Sequence, residues 1–214
     1  MSKPCRQNTR IDETGTFKDR MKGEFNLLYP LDEFYAESGL TLPSLVRVNG
    51  KDIPEPYKSL LVHENDMTPT LENAYHQKIR LRVLKHQLSG NVFSREVLLT
   101  LDHDGRAVEF GAIRIYLDRL PFQARQPILE GRRPLGSILH TQDIEHTSWP
   151  EAYVQVATDD AINRALNLTG SYQLYGRRNR LLDASRRTLA EIIEILPPSK
   201  NLRSFEKDGQ RKSP

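Results

Sequence analysis

The sequence contains a single cysteine, Cys5, among its 214 residues. One thiol can build neither a disulfide framework nor a cysteine-rich zinc site, so nothing points to an oxidising compartment. Long apolar runs are also missing, and none approaches the roughly 20 residues that a membrane span requires. The basic start of the chain is not followed by the apolar core of a secretory signal. We therefore expect a cytoplasmic protein without a membrane partner.

The common catalytic motifs are absent as well. The six histidines lack a metal-ligand spacing such as H-E-x-x-H, and the chain has no G-x-S-x-G, no Walker loop and no G-x-G-x-x-G. We therefore expect no metal site, no serine triad and no nucleotide site. The net charge of +3 is a mild basic excess, which suits a small-anion site as well as it suits nucleic acid.

The composition indicates one folded domain with polar ends. The hydrophobic content is 37% and the mean hydropathy is −0.59, which is low for a chain that is folded throughout. We expect a loosely ordered leader over residues 1–22, a domain over 23–198 and a charged tail over 199–214.

Alternating apolar residues between turn signals predict an antiparallel meander. The predicted strands are 79–88, 93–101, 107–117, 151–157, 171–182 and 188–196. Short helices are predicted at 57–62, from Thr68 onward, at 121–130, from Ser137 onward and at 159–166. Residues 26–45 are predicted to form short helical or irregular pieces.

The strand at 93–101 carries an arginine on an apolar face. The two-residue period of a strand places Arg95 beside Phe93, Val97, Leu99 and Leu101. A buried guanidinium is costly unless an anion or a hydrogen-bonding partner offsets its desolvation. The partner is either a carboxylate of the protein, as in an ordinary internal ion pair, or the anion of a ligand. A side chain that reaches out to solvent is a further alternative.

Two other features of the final strands are unusual for a buried sheet. Glu191 and Glu194 lie on opposite faces of the last strand, and periodicity alone does not say which of them points inward. The basic run at 176–180 is typical of a solvated sheet edge. It is weak as a nucleic-acid patch, because only two tyrosines lie near it.

An ordered set of motifs between about Leu60 and Pro198 resembles the chorismate pyruvate-lyase family, the enzymes that make 4-hydroxybenzoate. The motifs that carry the resemblance are Glu64-Asn65-Asp66-Met67-Thr68, Arg95-Glu96-Val97-Leu98-Leu99, Gly111, Pro134-Leu135-Gly136, Gly176-Arg177-Arg178-Asn179-Arg180, and Glu194 ahead of Pro198.

The resemblance implies a single α+β domain with an antiparallel sheet of about six strands and helical flaps over an internal ligand site. It implies a cofactor-independent carbon–oxygen lyase that converts chorismate to a hydroxybenzoate and pyruvate. By residue match, Arg95 binds a substrate carboxylate and Glu194 is the acid–base group. Met67, Gly111 and Leu135 complete the implied substrate site.

Two departures from the family pattern leave alternatives open. The final hairpin is longer than the pattern, so Glu191 remains a rival to Glu194. Ala112 follows Gly111 where the family often has arginine, which leaves room for a different substrate.

Two other functions remain under consideration. Effector-sensing domains of some transcription regulators are similar in fold and hold a small anion without turnover. Such regulators normally carry a winged helix ahead of this domain, and residues 1–55 show no convincing helix-turn-helix pattern. A nucleic-acid binder is the third hypothesis, motivated only by the basic pI and the basic run at 176–180.

Overall fold

The computed structural model describes residues 26–202, which form one seven-stranded antiparallel sheet in the order β1-β5-β6-β7-β4-β3-β2. The strands are β1 Leu45–Val48, β2 Ile79–Ser89, β3 Val92–Leu101, β4 Ala107–Tyr116, β5 Thr147–Ala157, β6 Gln173–Leu182 and β7 Thr188–Ile195. The helices are α1 Leu31–Glu37, α2 Tyr57–Leu61, α3 Met67–Tyr75, α4 Phe122–Leu129, α5 Leu135–Thr141, α6 Asp160–Leu166 and α7 Ser199–Leu202.

The prediction of an α+β domain on an antiparallel sheet is confirmed, with seven strands instead of about six. All six strands expected from the sequence are present. The additional strand, β1, is only four residues long and pairs with the outer edge of β5. Its residues are half-buried or exposed, and Val46 is 54% exposed. Such a short edge strand has no clear apolar alternation, so periodicity did not reveal it.

The two faces of the sheet are covered by different helices. On one face, α1 and α6 pack against residues such as Leu98, Phe110 and Ile193. On the other face, α2 and α3 form one apolar cluster with the sheet, and α4 and α5 form another. Strands β3 and β4 are therefore buried on both sides along most of their length, as is typical of strands within a three-layer domain.

The basic run at 176–180 was expected at a solvated edge, and this expectation is wrong. β6 lies inside the sheet between β5 and β7. Arg177 is 0% exposed and Arg178 is 6% exposed. The strand order explains the difference, because the sequence shows that β6 and β7 form a hairpin but not that β5 covers the other side of β6. Arg177 and Arg178 consequently present no surface to nucleic acid.

The ends of the chain lie partly outside the described residues. The predicted leader at 1–22 and the tail beyond residue 202 fall there. The first four residues of the predicted tail form α7, and Leu202 is buried in the cluster with α2 and α3. Among residues 26–202, no helix is both long enough and apolar enough to cross a bilayer.

Candidate functional site

A cavity lies on the face of the sheet that α3 and α5 cover. It is partly open to solvent, and its free volume is about 60 Å³, which is below the usual range of drug-sized ligand sites. The sheet supplies its floor, and the first residues of the two helices supply its roof. The lining residues are Asp66, Met67, Thr68, Leu81, Arg95, Val97, Leu99, Glu109, Ile113, Pro134, Leu135, Gly136, Asn179, Leu181, Ile192 and Glu194.

The strand register arranges the floor in rows that run across the sheet. One row joins Arg95 of β3, through Ile113 and Ile192, to Asn179 of β6. The next row on the same face contains Val97, Gly111, Glu194 and Arg177, listed in sheet order from β3 to β6.

Glu109 of β4 lies in a third row, where it pairs with Leu99 of β3. Leu99 is four residues along β3 from Arg95. At the usual rise per residue of a strand, the Arg95 and Glu109 positions are therefore about 13 Å apart along the sheet.

Arg95 is the outstanding polar group of the cavity. Its side chain is fully inside the protein, with 1% exposure, and its Nη2 donates to the main-chain carbonyl oxygen of Arg133 at 3.3 Å. Within residues 26–202, neither Nε nor Nη1 has a hydrogen-bond partner. Burial lowers the pKa of Arg95 to about 10, with no carboxylate acting to raise it. Nε and Nη1 lie on different edges of the planar guanidinium, each of which is completed by Nη2, so the anion of a carboxylate or phosphate can approach either edge.

Glu194 is bound by a second arginine of the protein. Its Oε2 accepts from Nε of Arg177 in a buried ion pair. Arg177 also donates to the carbonyl oxygens of His63 at 3.0 Å and Asn65 at 3.1 Å. The ion pair therefore connects β6 and β7 to the loop that leads into α3.

Glu109 is a buried carboxyl group without a counter-charge in contact. It is 4% exposed, and its Oε2 lacks a hydrogen-bond partner among the described residues. Burial raises the pKa of Glu109 well above its usual value, the neighbouring carboxylate of Glu194 raises it further, and Arg177 acts in the opposite direction. These effects favour the protonated form of the carboxyl group, which can both donate and accept a hydrogen bond.

Asn179 adds a fixed acceptor to the same floor. Its Nδ2 donates to Oγ of Ser148 at 2.8 Å, and that hydroxyl donates to the carbonyl oxygen of Asn65 at 3.4 Å. Because the hydroxyl proton is used in this way, Ser148 can only accept from the amide, which fixes the amide orientation. Oδ1 of Asn179 is buried and has no partner within the described part of the chain.

The roof is held closed by contacts between the segments at the starts of α3 and α5. Met67 and Leu135, expected from the resemblance at the ligand site, both line the cavity. α3 begins at Met67, with Asp66 in the N-cap position. His146 Nε2 is hydrogen-bonded to Oδ2 of Asp66 at 2.8 Å. A Cβ on Gly136 would lie 2.8 Å from the same oxygen, so α5 packs directly against Asp66.

Four of the five residues expected at the site, Met67, Arg95, Leu135 and Glu194, line the cavity together. Gly111 is not part of the lining. It lies opposite Glu194 in the register of β4 and β7, where it sets the spacing of the floor.

The rival carboxylate, Glu191, points to the other face of the sheet. Its Oε1 accepts from Arg178 at 3.1 Å, and its Oε2 accepts from the Tyr116 hydroxyl at 2.5 Å. The structure therefore resolves the choice of cavity carboxylate between Glu194 and Glu191 in favour of Glu194.

The sequence analysis did not predict that Glu109 and Asn179 line the cavity, or that His146 binds Asp66 in its roof. The alternation within β4 puts Glu109 on the same face as Ile113, which was a usable signal. The functions of Asn179 and His146 depend on contacts between segments far apart in the chain, which no local pattern contains. Among the described residues, no cluster of three or more His, Cys, Asp or Glu side chains could hold a metal ion.

Comparisons with known proteins give matches in structure only. No family model matches the sequence, and no curated protein matches it. The crystal structure of PhnF from Mycobacterium smegmatis is similar, with a TM-score of 0.50 and 9% identity over 79% of this chain and 94% of that one.

Two isolated domains are also similar. The effector domain of PhnF from Mycobacterium smegmatis has a TM-score of 0.49 and 11% identity over 64% of this chain and 90% of that one. The ligand-binding domain of a protein described as a GntR-family transcriptional regulator from Bordetella bronchiseptica has a TM-score of 0.42. Its identity is 10% over 56% of this chain and 85% of that one.

The expectation of a carbon–oxygen lyase is wrong. The solved structures reported above are described as a ligand-binding domain and an effector domain and not as lyases, and at these identities they show the fold alone. The cavity agrees with this correction, because Glu194, the expected acid–base group, is occupied by its ion pair with Arg177. The resemblance to the lyase family holds for the fold: the chain has the antiparallel α+β architecture of the chorismate lyase-like fold, which GntR-type effector domains share.

Proposed function

We propose that this chain is an effector-type binding domain that takes up a small organic anion in the cavity between the sheet and helices α3 and α5. The observation that carries the proposal is the Arg95 guanidinium, which is 1% exposed and has two buried N–H groups without partners in the described residues. A buried charge of this kind is costly until an anion completes its hydrogen bonds. A carboxylate or phosphate group of the ligand supplies that anion.

The charges around the cavity support an anion over a cation. Arg177 and Glu194 neutralise each other in their ion pair. Burial and the adjacent Glu194 raise the pKa of Glu109, which favours the uncharged form of this carboxyl group. Arg95 therefore leaves one net positive charge on the floor. The apolar side chains of Met67 and Leu135 cover this charge and exclude water from it.

The binding experiment uses isothermal titration calorimetry of the full chain with 4-hydroxybenzoate, chorismate and glucose 6-phosphate. We expect at least one of these anions to bind, and we expect Arg95→Met to weaken that binding by at least about tenfold, which corresponds to 1.4 kcal/mol. Arg82→Met is the matched control, because Arg82 is an exposed arginine of the neighbouring strand β2. It should leave the affinity unchanged.

Two outcomes would contradict this function. Binding that is equally strong in Arg95→Met and in the wild-type protein would show that the anion lies elsewhere. Release of pyruvate from chorismate would show turnover instead of simple binding. We expect chorismate to be recovered unchanged after incubation with the protein.

A further inference from the structure

The cavity contains a second set of unpartnered polar atoms, well separated from Arg95. Oε2 of Glu109 and Oδ1 of Asn179 are both buried and both lack partners within residues 26–202. Glu109 is 4% exposed and Asn179 is 1% exposed. Buried polar atoms are nearly always hydrogen-bonded in native proteins, so two such atoms facing one cavity indicate a missing partner.

These two atoms lie in different directions from Arg95. Glu109 lies two rows along the sheet from Arg95, about 13 Å by strand rise. Asn179 lies in the same row as Arg95 but three strands away, which is about 14 Å at the usual strand spacing. A ligand whose anion is bound by Arg95 would therefore reach them only with the opposite side of its skeleton.

We infer that Glu109 is a second binding point of this cavity, and that it selects anions carrying a hydroxyl group on the side remote from the anionic group. The inference rests on the proposed function, because it assumes that Arg95 holds the anion. The carboxyl group of Glu109 donates to this hydroxyl or accepts from it. Asn179 lies in a different row and on a different strand, so its Oδ1 does not share the same hydroxyl.

A hydroxyl group is favoured over an ammonium group by the surroundings of Glu109. The titratable and charged groups that act on Glu109 are Glu194, which disfavours its ionisation, and Arg177, which favours it. Burial outweighs the arginine and raises the pKa of Glu109. A neutral carboxyl group offers hydrogen bonds and no net charge, so it gives a cation no advantage.

The test compares two pairs of probes that differ only in a hydroxyl group. Calorimetry is carried out with 4-hydroxybenzoate against benzoate, and with 3-hydroxypropyl phosphate against propyl phosphate, so that carboxylates and phosphates are both represented. We expect the wild-type protein to bind the hydroxylated member of at least one pair about tenfold more tightly, as a site built for hydrogen bonding does. This comparison needs no variant.

Variants then test whether Glu109 is the residue that causes the preference for the hydroxylated probe. Glu109→Leu should abolish the preference for the hydroxyl while the Arg95-dependent binding of the parent anion remains, and Glu109→Gln should retain most of it. Glu96→Leu is the matched control, because Glu96 is a buried carboxylate on the opposite face of β3, 8% exposed. It should keep the preference intact.

The outcomes separate this inference from the proposed function. Arg95-dependent binding without any preference for the hydroxyl, or a preference that survives Glu109→Leu, overturns the inference and leaves the function standing. Tighter binding of 4-(aminomethyl)benzoate than of 4-hydroxybenzoate also overturns it, because it requires an ionised Glu109. A lack of Arg95-dependent binding with every probe overturns both.

Discussion

Gly111 of β4 lies directly opposite Glu194 of β7, and a Cβ on Gly111 would be 2.0 Å from the carbonyl oxygen of Ile193. On the other side of β7, a Cβ on Gly176 would be 2.4 Å from the carbonyl oxygen of Glu194. The main chain at Ile193 and Glu194 is therefore packed between two glycines. This close packing fixes where the Glu194 carboxylate and its partner Arg177 enter the cavity floor.

Gly111→Ala should destabilise the protein by about 2–4 kcal/mol, because the new methyl group meets main-chain atoms of a central strand that cannot move independently. The free energy of unfolding is measured by urea titration. Gly50→Ala is the control, since its Cβ would meet the Tyr153 ring at 3.0 Å and a Val62 methyl group at 3.1 Å. These side chains can shift, so Gly50→Ala should lower the free energy of unfolding by less than Gly111→Ala does. Equal costs would contradict the packing described for β4 and β7.

Arg177→Met should destabilise the protein by about 3–5 kcal/mol, because it leaves the buried Glu194 carboxylate without its counter-charge. The double variant Arg177→Met/Glu194→Leu removes both charges and should recover part of that loss. A double-mutant cycle from urea unfolding measures the coupling. If the double variant is no more stable than Arg177→Met alone, the ion pair is less important than the bonds from Arg177 to the loop before α3.

Arg95→Met should stabilise the protein without ligand. Burial lowers the pKa of Arg95 to about 10 from 12.5, which corresponds to a cost on the order of 3 kcal/mol for keeping the folded form charged. At neutral pH the guanidinium is charged in both states, so this cost is fully present. We expect the free energy of unfolding to rise by about 1–3 kcal/mol. A strong destabilisation would mean that the guanidinium already has a partner.

The hydrogen bond between His146 and Asp66 should make the stability depend on pH. It raises the pKa of His146 above 6.5. The stabilisation is therefore fully present below pH 6.5 and is lost as the pH rises through the raised pKa. His146→Gln should destabilise by on the order of 1 kcal/mol at about pH 5.5 and by less at about pH 8.5.

The control for this prediction is His103→Gln, because His103 is exposed in the turn between β3 and β4. It should show no comparable dependence on pH. A larger effect of His146→Gln at the higher pH would reverse the sign of the linkage and contradict an ion pair with Asp66.

The sequence predicted those parts of the site that local patterns encode. Alternation in the strand at 93–101 placed Arg95 on a buried face, and the resemblance to the chorismate pyruvate-lyase family implied that Met67, Leu135 and Glu194 lie at the same site. Turn chemistry likewise predicted the hairpin between β3 and β4. Each of these inferences depended on a few neighbouring residues.

The remaining features of the site could not be predicted from local patterns, because they depend on which strands are neighbours in the sheet. β7 pairs with β4 as well as with β6, and this arrangement buries Arg177 and brings Glu194 close to Glu109. Nothing in the local pattern of 176–180 distinguishes a buried pair of arginines from a solvated edge. The choice between Glu194 and Glu191 required the register of β7, which a one-residue shift would have reversed.

The most direct test of the central claim is a crystal structure of the protein soaked with the tightest-binding anion of the calorimetric panel. The account predicts that an oxygen atom of the anion lies within hydrogen-bond distance, about 2.7–3.1 Å, of Nε or Nη1 of Arg95. An anion bound away from the cavity, or a carboxylate of the protein occupying both N–H groups of Arg95, would contradict it.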